Sequence, residues 1–125
     1  MWSSLHVVQE YLESQSKSIV HAIQIVISAI SGVRTRTLKP TPMLNENLTQ
    51  IVAIVSSIVA VCKDSLGSAQ QGRDVLRELS DHAHQLSKLR DEAVLTRESR
   101  KVMARSSFAI ANAMKKLMTL QCFAY

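Results

Sequence analysis

The chain has 125 residues, 46% of them apolar and 20% charged, with 3 Gly, 2 Pro and a net charge of +5. A chain of this size buries roughly two thirds of its unfolded surface, enough for one continuous core, which excludes a cofactor domain joined to a substrate domain. Scarce Gly and Pro with abundant Leu, Ile and Val exclude collagen-like and disordered classes, and the two cysteines, Cys62 and Cys122, supply neither a disulfide framework nor a zinc quartet.

From Ser4 to Ile30, the residues Leu5, Val8, Leu12, Ile19, Ile23, Val26 and Ile30 fall at helical spacing and form one stripe, with Gly32 as a stop. Val33 to Leu44 carries Pro40 and Pro42, which push the preceding residues out of the helical region, and reads as the one long loop. Asn45, Glu46 and Asn47 then offer an N-cap and an early acid for a second helix with Leu48, Ile51, Val55, Ile58, Cys62 and Leu66 inward, ending near Gly67. The β-branched run Ile51 to Val61 contains no turn signal that would fold it into two strands, so helix is the reading. Its roughly dozen apolar residues fall short of the about 20 that a bilayer needs.

Ser68 to Gly72 reads as a short polar joint before a third helix with Leu76, Leu79, Ala83, Leu86 and Leu89 inward. Thr96 is the candidate cap of the fourth. Helices at about 4–31, 45–66, 73–94 and 97–121, joined by short or moderate connections, predict an all-α, antiparallel up-down-up-down four-helix bundle as a single domain.

No catalytic constellation stands out: there is no phosphate-cradling glycine loop, and His82 and His84, two apart, point to different sides of a helix. His21, inside an apolar run, reads as a core or edge histidine bonded to a backbone carbonyl, and the cysteines read as small buried hydrophobes. These features predict a non-enzyme that uses no metal or cofactor. With no secretory start, the chain is expected in a reduced cytoplasmic compartment.

The positive charge is concentrated. Between Leu86 and Lys116 eight basic residues face three acids, a balance of +5, so the rest of the chain sums to zero. On a helical wheel Arg97, Lys101, Arg105, Asn112, Lys115 and Lys116 share one arc of the fourth helix, opposite Val102, Ser106, Ala109, Ala113, Leu117 and Leu120. A second apolar stripe, Met103, Ser107, Ile110, Met114 and Met118, either completes the core or leaves Met103, Met114 and Met118 as an adaptable groove. Phe108 breaks the pattern by falling among the cations. Either the long loop or the chain start folds over it, or it is an exposed aromatic anchor in a basic rim, suited to an acidic amphipathic helix.

Three stretches, Tyr11 to Gln24, Ile51 to Leu66 and Ser106 to Leu117, resemble the carboxy-terminal domain of the fungal polarisome scaffold of the Spa family. That domain is in turn similar to the focal-adhesion-targeting bundle of animal focal adhesion kinase and of paxillin-binding ArfGAP scaffolds. The resemblance implies a non-enzymatic docking module of a longer scaffold, placed at bud tips, hyphal tips or septa, that recruits helical or coiled-coil segments of polarity proteins and so organises actin assembly. In the animal relatives, partner helices lie between the first and fourth or the second and third helices. Carried over, Arg100, Lys101, Arg105, Lys115 and Lys116 would rim the first of these pairs, with Phe108 and Asn112 beside them, while the Pro40-Thr41-Pro42 loop would cover one bundle end and part of a groove. Alternative readings of the same surface are binding to nucleic acid, which the 4% aromatic content disfavours, or to an anionic membrane. A homodimer on the Met edge is a further option.

Overall fold

The computed structural model describes residues 2–66 and 70–123, with side chains for 7–63 and 70–120. Helix α1 spans Trp2–Ile30, strand β1 Thr37–Leu38, α2 Pro42–Leu66, α3 Gln70–Arg90, strand β2 Leu95–Thr96 and α4 Arg97–Phe123. Each helix packs on its two neighbours in a closed ring, α1 against α2 and α4 and α3 against α2 and α4. The result is the expected antiparallel four-helix bundle, whose dry centre is the set of stripes read from the sequence. Leu12, Ile19, Ile23, Val26 and Ile30 of α1, Leu48, Ile51, Val55, Ile58 and Cys62 of α2, and Leu76, Leu79, Ala83, Leu86 and Leu89 of α3 are all buried, and Val8 is half-buried. The expectations for the Leu5, Leu66 and Cys122 side chains, and for Gly67 and Ser68, lie outside the described residues.

Helix α1 ends as expected at Gly32, whose φ of 77° is a left-handed conformation that a side chain resists. Helix α2 starts earlier than expected. Pro42, with no N–H to lose, takes the first helical position, and the Leu44 amide donates to Thr41 Oγ1 at 3.2 Å, so Thr41 and not Asn45 is the cap. Asn45 and Asn47 sit inside the first turns, where Asn47 Nδ2 donates back to the Met43 carbonyl at 2.9 Å. The early start corrects a second expectation: Pro42–Lys63 is long and apolar enough, by length and composition alone, to cross a membrane. A bundle's core helix meets the same criterion, and the inner side of this one, from Leu44 through Cys62, is core.

Helix α3 is displaced from expectation at both ends, since Gln70 to Gly72 are already helical and the helix stops at Arg90. Gln70 supports that start by donating to Asp74 Oδ1 at 2.8 Å and accepting from Arg73 at 2.7 Å. The stop is a tightened last turn, with the Asp91 and Glu92 amides bonded to the carbonyls of Lys88 and Leu89. The freed segment pairs as β2 with β1, Thr37 opposite Thr96 and Leu38 opposite Leu95, in an antiparallel ladder that periodicity does not announce. Thr96 also caps α4 as expected, its Oγ1 accepting from the Ser99 amide at 3.1 Å. The segment between α1 and α2 is thus a strap, pinned across one bundle end by the ladder.

Candidate functional site

Helix α4 carries the charged surface, and its inner half is closed. Met103, Ser106, Ser107, Ile110, Ala113, Met114 and Leu117 are buried, which corrects the groove reading: Met103 and Met114 are core residues, and Met118 is half-buried against them. The unbranched thioethers fill the width that looked like a free edge, because α1 and α3 both pack on α4. Arg100 is also corrected. It is 6% exposed, and it donates Nη1 to the Leu95 carbonyl at 3.0 Å and Nη2 to the Thr35 carbonyl at 2.7 Å. It therefore joins β2 and the strap to α4, and its guanidinium is committed to structure.

The outer half of α4 keeps the rest of the expected surface. Phe108 is 56% exposed, so neither the strap nor another described side chain covers it. Lys101, Arg105, Asn112, Lys115 and Lys116 are exposed around it. Helical geometry sets Lys101, Arg105, Asn112 and Lys115 within two turns of Phe108 on the same side. The side chains of Lys101, Arg105 and Lys115 make no ion pair or hydrogen bond among the described residues. Lys116 reaches across to Glu78 Oε2 of α3 at 3.5 Å, a half-exposed pair of small energetic weight.

These residues do not all rim one groove. Lys115 and Lys116 line a cleft between α3 and α4 with Asp74, Val75, Glu78 and Leu120, whereas Lys101 lines an open cavity between α1 and α4 with Arg34 and Arg97. Phe108 stands on the crest that separates the two, a convex ridge with cations on both slopes. A third surface recess lies between α2 and α3, lined by Val52, Val55, Val59, Ala83, His84 and Ser87.

The remaining candidates resolve simply. His21 is exposed on α1 beside Gln24, Ser28 and Met43, which removes the core half of the core-or-edge reading, and its side chain bonds no backbone carbonyl among the described residues. Cys62 is buried as expected, and loss of solvent pushes its thiol up to about 11, so the neutral form persists across physiological pH. Among the described residues no cluster of His, Cys, Asp or Glu could hold a metal ion.

Residues 9–122 match the family described as the C-terminal region of G protein-coupled receptor kinase-interacting protein 1. The chain belongs to that family. The match covers nearly the whole bundle, including α4 and its ridge. The kinase-interacting protein 1 C-terminal family consists of helical, scaffold-type interaction domains related to the focal-adhesion-targeting bundle, and it is not an enzyme family. No curated protein and no solved structure matches the chain.

Within the kinase-interacting protein 1 C-terminal family fold, sequence reasoning missed the strap's share of the cationic surface. Arg34, Arg36 and Lys39 carry three charges with no acid between Ser31 and Thr41, a signal present in the sequence but far from the cationic Leu86–Lys116 stretch. The β1–β2 ladder brings that segment beside the start of α4, where Arg97 Nη2 donates to the Arg34 carbonyl at 3.2 Å.

Proposed function

We propose that this domain is the docking module of a cell-polarity scaffold, binding acidic helical or coiled-coil segments through the α4 ridge. The carrying observation is Phe108, a large aromatic side chain left 56% exposed between Lys101, Arg105 and Lys115, whose side chains have no partner among the described residues. An exposed aromatic costs hydrophobic free energy in the isolated domain, and that cost is recovered when a partner covers it. A convex ridge calls for a concave partner, which favours the apolar seam between paired helices, edged by Asp or Glu that meet Lys101, Arg105 and Lys115. Family membership supports a protein-interaction role, and the resemblance of the Tyr11–Gln24 and Ser106–Leu117 stretches to the polarisome scaffold supports a place at sites of polarised growth.

The test is a titration of acidic coiled-coil peptides into wild type and Phe108→Ala. An aromatic anchor of this kind is worth roughly 2 kcal/mol or more, so affinity should fall by more than about tenfold in the variant. Unchanged affinity for every peptide that binds wild type would refute the ridge as the docking surface. In a cell that grows at a tip, the fluorescently tagged full-length protein should concentrate at that tip and disperse in the variant.

A further inference from the structure

The open cavity where the carboxyl end of α1, the strap and the first turn of α4 meet has a volume of about 590 Å³ and a wall of one charge sign. Arg34, Arg97, Arg100 and Lys101 line it, Ile30 and Val33 form part of its apolar lining, and no carboxylate takes part. The buried guanidinium of Arg100 is an independent sign. Its two terminal nitrogens are bonded to the carbonyls of Leu95 and Thr35, which satisfy hydrogen bonds but carry no net charge. Among the described residues this buried cation therefore has no counter-ion, an arrangement that burial makes costly.

The helix ends do not alter the sign. The start of α4 contributes roughly half a positive charge and the end of α1 roughly half a negative one, so the side chains set the field. Arg36 and Lys39 of the strap, both exposed, add to it from the same end of the bundle. Cations thus approach from two elements, across a cavity larger than a lone phosphate. Forked guanidiniums on two sides suit a ligand that presents phosphates on more than one edge, better than a single carboxylate does.

We infer that this cavity is an anion site for a small polyphosphate of the inositol phosphate class, its headgroup either free in solution or carried by a lipid. The site goes beyond the docking ridge and does not rest on it. Met43 in the first turn of α2 and Val94 on the connection before β2, both exposed at the same end, are placed to meet an interface if the headgroup is lipid-borne.

The probes are inositol hexakisphosphate, titrated calorimetrically into the folded chain, and phosphatidylcholine vesicles with or without phosphatidylinositol bisphosphate, followed by flotation. Arg34→Gln combined with Arg97→Gln should weaken binding by at least about tenfold, as expected for loss of charge-assisted hydrogen bonds. Arg105→Gln combined with Lys115→Gln, which removes the same charge from the ridge, should leave it within about twofold if contact and not diffuse attraction dominates. Arg34→Gln alone guards against unfolding, since that side chain makes no described contact, and a matched thermal melt checks both doubles. Flotation that depends on the bisphosphate and exceeds free-headgroup binding assigns the lipid source; equal binding assigns the soluble one. Absence of binding to either probe at physiological salt overturns the inference, and so does equal weakening in the two doubles. Phe108→Ala leaves polyphosphate binding intact, so failure here and failure of the docking ridge are read separately.

Discussion

Arg100 donates Nη2 to the Thr35 carbonyl at 2.7 Å across 65 positions of sequence, and through that bond α4 holds the connection between α1 and α2. The same guanidinium reaches Leu95, so one side chain closes the bundle end where both connections meet. Arg100→Ala leaves two carbonyls without their donor and removes a side chain that is only 6% exposed. Each lost bond to a charged donor is worth about 1.5–3 kcal/mol, and the variant should lose at least that much stability in urea unfolding. Arg100→Lys, which keeps the charge but offers no planar fork, should recover only part of the loss.

Thr41 and Asn45 offer a paired test of where α2 begins. Thr41 Oγ1 accepts from the Leu44 amide, so Thr41→Ala should cost about 1 kcal/mol and Thr41→Ser much less. The Oδ1 of Asn45 is buried without a hydrogen-bond partner among the described residues, so Asn45→Ala removes an unsatisfied acceptor and should leave stability unchanged within about 0.5 kcal/mol or raise it. The opposite order would place the cap at Asn45.

The two variants also show what was legible in the sequence. Periodicity reports which side of a helix faces inward, and the stripes from Leu12 to Ile30 and from Leu76 to Leu89 are buried as their spacing demands. It does not report how a long side chain is used. The resemblance set Arg100 beside Lys101 on the rim, but its carbonyl partners come from segments with no regular pattern. Pro42 misled for a related reason, because the same ring breaks a helix interior and suits its first position, and only the cap at Thr41 separates the two. The place of Phe108 among the cations was legible as a break in the wheel, but whether the strap covered it was not, and its exposure is a finding of the structure. The cavity beside it was not legible either, because it forms only when the β1–β2 ladder brings the strap to α4.

Met114 and Phe108 should respond oppositely to truncation. Met114 is 1% exposed in the core, and Met114→Ala should cost about 2–5 kcal/mol. Phe108→Ala lies on the exposed crest and should change stability by no more than about 0.5 kcal/mol while weakening docking by more than about tenfold. Urea titration of both variants checks this. A large loss for Phe108→Ala would mean that the ring supports the fold and would remove the argument for a partner.

Cys62 supplies a pH-dependent test of the packing between helices. Burial moves its thiol from 9.0 to about 11, so the folded chain holds this proton more tightly than the unfolded chain does. The resulting stability contribution is fully present below pH 9, where both states are protonated, and is lost as pH rises from there through about 11. The informative quantity is the stability difference between wild type and Cys62→Ala, in which contributions common to both chains cancel. That difference should shrink as pH rises across the window, and a constant difference would show a thiol accessible to water. Alkylation gives a second readout. At pH 8 the buried, neutral thiol should react far more slowly in the folded chain than in urea, with modification at Cys62 quantified by peptide mass spectrometry. Equal rates would mean that the α2 face carrying Cys62 opens readily, which is incompatible with its complete burial beside Ile58.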